Sequence, residues 1–116
     1  MPSPKSSKAK GRKLQNMIRD ALRSAFPVLE EDDIKSQTMG MTGEDIVLSP
    51  AARKLIPYSF ECKNVERLQF WATVEQAESN LKENTYPAIV VKKNRKTPYV
   101  AIELDHFLEL IGGNND

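Results

Sequence analysis

Apolar residues recur at spacings of three and four from Leu14 through Met17, Ile18, Ala21 and Leu22 to Ala25. This predicts a first helix over about residues 12–25 that buries that stripe and is stopped by Pro27. The pattern then shortens. "DIKSQ" from Asp33 and "EDIVL" from Glu44 read as strands on either side of the glycine turn "MGMTG". Ser49 and Pro50 carry the cap and first-position signature of a single helical turn over "AARKL", and "YSFECKN" beyond Pro57 reads as a third strand. In "ERLQFWATVEQAESNLKEN" the residues Phe70, Val74, Ala77 and Leu81 mark one face of a second long helix. "AIVVKK" and "YVAIEL" flank "KNRKTP" as a terminal hairpin, and Asp105 is placed to cap a last short helix over "HFLEL". The expected fold class is α/β, ordered as helix, three-stranded meander, helix and β-hairpin, with a mixed sheet flanked by helices.

Composition narrows the class. A chain of 116 residues, 40% hydrophobic with mean hydropathy −0.51, has material for one core. No apolar run approaches the ~20 residues of a membrane span, and "MPSPKSSKAKGRK" lacks the apolar middle of a signal peptide, so a cytoplasmic protein with no membrane partner is expected. Cys62 is the single cysteine, which excludes an internal disulfide and a structural zinc. The net charge of +1 conceals an uneven distribution, since residues 1–13 hold Lys5, Lys8, Lys10, Arg12 and Lys13 and no acid. Residues 1–10 therefore read as a disordered basic arm, either phosphate-binding or merely solubilising, residues 11–111 as one domain, and residues 112–116 as a frayed tail.

The chemistry is concentrated in "SFECK". Alternation along a strand sends Phe60 and Cys62 to one face and Glu61 and Lys63 to the other. If the preceding strand pairs with this one, Asp45 arrives beside them. Two carboxylates at a sheet end make a hard-oxygen site for Mg²⁺, and a neighbouring ammonium supplies positive charge to a phosphate or orients an attacking water. A solvated strand face with a surface salt bridge is the competing reading.

Gly43-Glu44-Asp45-Ile46 followed by Glu61-Cys62-Lys63, after an opening helix and before a helix bearing Gln76 in "EQAE", resembles the PD-(D/E)xK nuclease superfamily. Over about residues 11–108, including the final hairpin, it looks like the archaeal-type Holliday junction resolvases and related small phage nucleases. The resemblance implies a restriction-endonuclease-like core and a Mg²⁺-dependent DNA endonuclease, with Mn²⁺ an alternative metal. Asp45, Glu61 and the Cys62 backbone carbonyl would be metal ligands, Lys63 the catalytic lysine, and Gln76 a catalytic helix residue over the site. Resolvase-type relatives carry a glutamate on the first helix, where this chain has Gln15, which leaves one or two metals open. Asp20 and Glu44 are poorly placed substitutes. Branched DNA with two scissile strands implies a homodimer. General nicking or double-strand cleavage, or a feebly catalytic DNA-binding module, are the alternatives.

Basic residues suggest where DNA would lie. Arg12, Lys13, Gln15 and Arg19 on the first helix, Arg53 and Lys54 between the motif strands, and Lys92, Lys93, Arg95 and Lys96 at the hairpin turn are expected contacts. Gln69, Thr73, Gln76 and Asn80 form an uncharged polar stripe, of which only Gln76 is assigned to function. Phe70 and Trp71 read as core or dimer packing, and His106 as a helix-surface residue.

Overall fold

The computed structural model describes residues 4–38, 41 and 43–113. Most of the "MGMTG" turn, residues 1–3 and residues 114–116 of the expected tail lie outside the described residues. The chain is α/β, with four α-helices and two small sheets among the described residues. Helix α1 spans Pro4–Ala25, a 3-10 turn spans Glu31–Asp33, and strands β1 (Ile34–Ser36) and β2 (Ile46–Leu48) pair antiparallel. Helix α2 (Pro50–Leu55), strand β3 (Tyr58–Asn64), helix α3 (Phe70–Ser79), strands β4 (Tyr86–Lys92) and β5 (Tyr99–Ala101) and helix α4 (Leu104–Gly112) follow.

Helix α1 begins well before the apolar stripe requires, so residues 4–10 continue the helix and are not the disordered arm that composition suggested. Lysine and alanine are good helix formers, and they extend a helix already nucleated by packing further along. The buried stripe is narrower than expected. Leu14 is buried and Ile18 and Leu22 pack on the core, whereas Met17, Ala21 and Ala25 are exposed. Gln15 occupies a buried position beside Leu14.

The expected three-stranded meander is absent. Strand β3 belongs to a second sheet of order β3-β4-β5, in which it pairs parallel with β4 from Tyr58↔Tyr86 to Asn64↔Lys92. Helix α3 supplies the crossover that a parallel pair needs. The segment before β2 touches β3 at one place, where Asp45 N–H donates to Phe60 O at 2.9 Å. The next amide on that edge, Cys62 N–H, donates to the Asp45 side chain, so no backbone ladder propagates. The terminal hairpin forms as expected, with β4 and β5 antiparallel.

Capping explains helix α2. Ser49 Oγ accepts Ala52 N–H at 3.1 Å and donates to Asp33 at 2.6 Å, and Pro50 stands at the first helical position. Helix α4 begins two residues earlier than expected: Glu103 is its N-cap and Asp105 lies in its first turn. Helix α3 buries Thr73 and Ala77, while Leu81 falls beyond its end and Trp71 is 74% exposed, which removes Trp71 from the core. The core joins Leu14, Ile34, Ile46, Leu48, Ala52, Ile56, Phe60, Cys62, Ala88 and Val90, between α1, α2 and one face of the β3-β4-β5 sheet.

Candidate active site

Alternation along β3 does what the sequence reading required. Phe60 and Cys62 enter the core, and Glu61, on the opposite face, is 2% exposed near α3. A buried carboxylate is costly unless partnered or held at a functional site. Asp45 comes to β3 through two contacts, its backbone N–H on Phe60 O and its Oδ2 accepting Cys62 N–H at 2.7 Å. Gln15 stands near the same carboxylate on α1 and favours its ionised form.

Both carboxyls are pushed up, Asp45 by burial and Glu61 by burial and by Asp45. Burial pushes the Asp45 carboxyl above its ordinary value, with the Cys62 N–H, the Lys63 ammonium and Gln15 opposing. Glu61 rises to about 7, first through burial and then through the charge of Asp45, with Lys63 and a hydrogen bond from Asn80 opposing. Lys63 acts electrostatically on both acids, as expected for a cation beside the pair. Burial and the two carboxylates together push the Cys62 thiol far up, which rules it out as a nucleophile near neutral pH.

Two acceptor oxygens at this cluster, Glu61 Oε1 and Gln15 Oε1, are buried and have no hydrogen-bond partner. An orphaned carboxylate oxygen beside a second carboxylate suits a cation, which would satisfy it and neutralise the repulsion. Among the described residues no three His, Cys, Asp or Glu side chains gather, so a metal here would complete its oxygen shell from other groups. The Gln15 amide oxygen is one such group. The Cys62 carbonyl is another, since the N–H and C=O of a strand residue project to one edge and its N–H already faces Asp45. The donor set therefore fits a hard divalent cation.

Helix α3 contributes more than expected. A cleft of about 230 Å³ opens beside Lys63 and is lined by Gln69, Thr73 and Gln76. Gln76 is exposed on this wall. Asn80, just past the end of α3, lies near Glu61 and favours its ionised form, a role the sequence reading does not assign to it; the run Gln69, Thr73, Gln76, Asn80 at helical spacing is the signal that could have found it.

The basic residues separate into two groups. Arg12, Lys13, Lys54, Lys93, Arg95 and Lys96 are exposed and Lys92 is half-buried. Lys96 N–H donates to Lys93 O at 3.1 Å and Arg95 adopts φ +65°, a tight turn that gathers the hairpin cations. Arg53 instead makes a two-pronged pair with buried Glu44, at 2.6 and 3.2 Å, and donates to Tyr58 O. Its guanidinium is thereby committed to the fold, and Glu44 to Arg53. Arg19 bonds Asp20 and Asn16. Gln15 faces inward, so it does not share one outer edge with Arg12 and Arg19. His106 is 6% exposed, bonded to the Tyr58 hydroxyl and stacked on Tyr86 at 3.7 Å, which makes it a packing residue remote from the acids and not a surface one.

Compared with known proteins, the chain matches no family model, no curated protein and no solved structure. No helix among the described residues is long and apolar enough to cross a membrane.

Proposed function

We propose that this protein is a metal-dependent DNA endonuclease of the PD-(D/E)xK type, hydrolysing phosphodiester bonds with Mg²⁺ or Mn²⁺. The observation that carries the reading is the convergence of Asp45, Glu61 and Lys63, with an orphaned carboxylate oxygen at its centre. Asp45, Glu61 and the Cys62 carbonyl would hold the cation, with Gln15 completing the shell. When bound, such a cation supplies Lewis-acid activation of water and neutralises charge on a phosphate.

The chain's own residues do the positioning. Cys62 N–H fixes the Asp45 carboxylate, while Gln15 and Asn80 favour the ionised forms of Asp45 and Glu61. Lys63 sets its ammonium against the phosphate, where charge grows in the transition state. Gln76, on the cleft wall with Lys63, is placed to bond a water or a phosphate oxygen. Exposed cations on α1 and the hairpin turn would track the backbone of DNA.

Branched DNA of the Holliday-junction type is the favoured substrate, and cleavage of two symmetric strands asks for a homodimer. Helix α4 supports the dimer. Leu104, Phe107, Leu108 and Ile111 form a stripe at helical spacing that is 46–68% exposed, turned away from the His106 face that meets the body. Strand β5 has one unpaired edge, and an antiparallel pairing of that edge with a second copy is self-complementary about a two-fold axis.

Incubation with supercoiled plasmid and with four-way-junction, flap and linear duplex DNA tests the reading. Cleavage should require Mg²⁺ or Mn²⁺ and fall roughly a thousandfold in Asp45→Asn, Glu61→Gln and Lys63→Ala, with binding in Ca²⁺ retained. Equal cleavage by these variants would refute it. Gln15, uncharged where resolvase-type nucleases carry an acid, favours the second reading of a feebly catalytic DNA-binding module, and metal-independent binding without cleavage would establish that reading instead.

A further inference from the structure

A cavity of about 360 Å³ lies between the start of the β3–α3 connection and the β4–β5 hairpin. Its floor is apolar, formed by Val65, Leu68 and Val91, and Tyr99 stands in its wall with the side chain 70% exposed. Lys92, Lys93 and Lys96 surround it. The one carboxylate on the wall, Glu66, accepts Asn94 N–H at 2.7 Å and lies 4.0 Å from Lys10, so it is already partnered. The cavity adjoins the cleft at Lys63, with Val65 and Leu68 lining both.

An apolar floor, an accessible aromatic ring and a rim of ammonium groups are the features by which proteins hold single-stranded nucleic acid, stacking a base while cations follow its phosphates. The volume falls within the range of small-molecule sites. A base inside a paired duplex offers its faces only to its neighbours in the stack, and it cannot enter.

Resting on the nuclease reading, we propose that this cavity receives an unpaired nucleobase of the strand being cut, stacked on Tyr99, with its flanking phosphates on Lys92, Lys93 and Lys96. The base sits beyond the Val65–Leu68 ridge from Lys63, so at a branch point a nucleotide whose pair has opened would lie close to the scissile phosphate. Substrate choice then comes from DNA structure more than from sequence, since every base has a stacking face.

The test uses the full chain in Ca²⁺ and a DNA containing 2-aminopurine, either unpaired in a bulge or paired in a matched duplex of the same sequence. Expected are about tenfold tighter binding of the bulged DNA and quenching of its fluorescence on binding. Tyr99→Ala should abolish both while leaving duplex affinity unchanged, and Tyr99→Phe should retain both. Equal affinity for the two DNAs, or quenching that persists in Tyr99→Ala, overturns the proposal. A Mg²⁺-dependent nuclease that shows no bulge preference loses the cavity assignment alone. A Tyr99-dependent bulge preference without cleavage at any metal concentration upholds the cavity and refutes the nuclease reading.

Discussion

Asp45 accepts the backbone N–H of Cys62 at 2.7 Å, and in doing so it takes the position a neighbouring strand's carbonyl would have held. The motif acid thus ends the contact between the two sheets and is fixed by it. Its carboxylate has little freedom to turn away from Glu61, so the repulsion between the acids is built into the folded chain.

That repulsion sets a pH dependence. The folded-state value of about 7 for Glu61 lies above its ordinary 4.5, so in the metal-free protein the folded state keeps a proton that the unfolded chain releases. The Glu61 contribution to stability is therefore fully present below about 4.5, is lost as pH rises toward 7, and changes no further above it. The contribution is on the order of 3 kcal/mol. Urea denaturation at pH 5 and pH 8 should show Glu61→Gln gaining that amount over the native chain at pH 8 and little at pH 5, with Mg²⁺ narrowing the gap. A native chain that matches Glu61→Gln at both pH values would contradict the shift.

Gln15→Glu adds a third acid to the cluster. Without metal at pH 8 it should lower the melting temperature, by the equivalent of about 1–3 kcal/mol, because another carboxylate is buried near Asp45. With Mg²⁺ it should recover and shift the cleavage midpoint to lower metal concentration. Gln15→Ala removes the amide near Asp45 and changes no charge, so it should be milder than Asp45→Asn in cleavage. A Gln15→Glu chain insensitive to Mg²⁺ in both melting and cleavage would place no metal at this side chain.

Arg53 and Lys54 are neighbours with opposite expected phenotypes. Arg53→Ala strands the buried Glu44 carboxylate and should cost roughly 2–4 kcal/mol of stability, with the salt dependence of DNA binding unchanged. Lys54→Ala should leave stability within about 0.5 kcal/mol and reduce the salt slope by about one. Chemical denaturation and binding titrations at several salt concentrations distinguish them.

Leu104→Glu combined with Ile111→Lys should convert a sedimenting dimer to a monomer without lowering the melting temperature of the domain, since both residues are exposed in the single chain. Unaltered sedimentation would remove α4 from the interface.

Much of this was legible beforehand because short-range periodicity reports which face is buried. The alternation in β3 separated Cys62 from Glu61 and Lys63, and the cap at Ser49 marked α2. The partner of β3 was not legible, since "YSFECKN" pairs equally well on paper with the strand before it or with "AIVVKK". A carboxylate substituting for a backbone acceptor at Asp45 decided the matter, and no periodicity encodes that. Arg53 and His106 were misplaced for a related reason: a cation or an imidazole near the surface in sequence is buried by whichever partner the tertiary fold supplies, here Glu44 and the Tyr58–Tyr86 pair. Asn80 was visible as the end of a polar stripe, but only the folded chain showed Glu61 beneath it.

The parallel pairing of β3 with β4 has a kinetic consequence. A strand whose ladder partner comes later in the chain, across a helix, closes a long loop before any hydrogen bond rewards it, and such contacts form slowly. On the ribosome, Glu61 and Lys63 emerge well before Tyr86–Lys92 exists to hold their strand, so the growing chain carries the motif without a formed cluster. The cluster would then form abruptly, in the same step that completes the sheet.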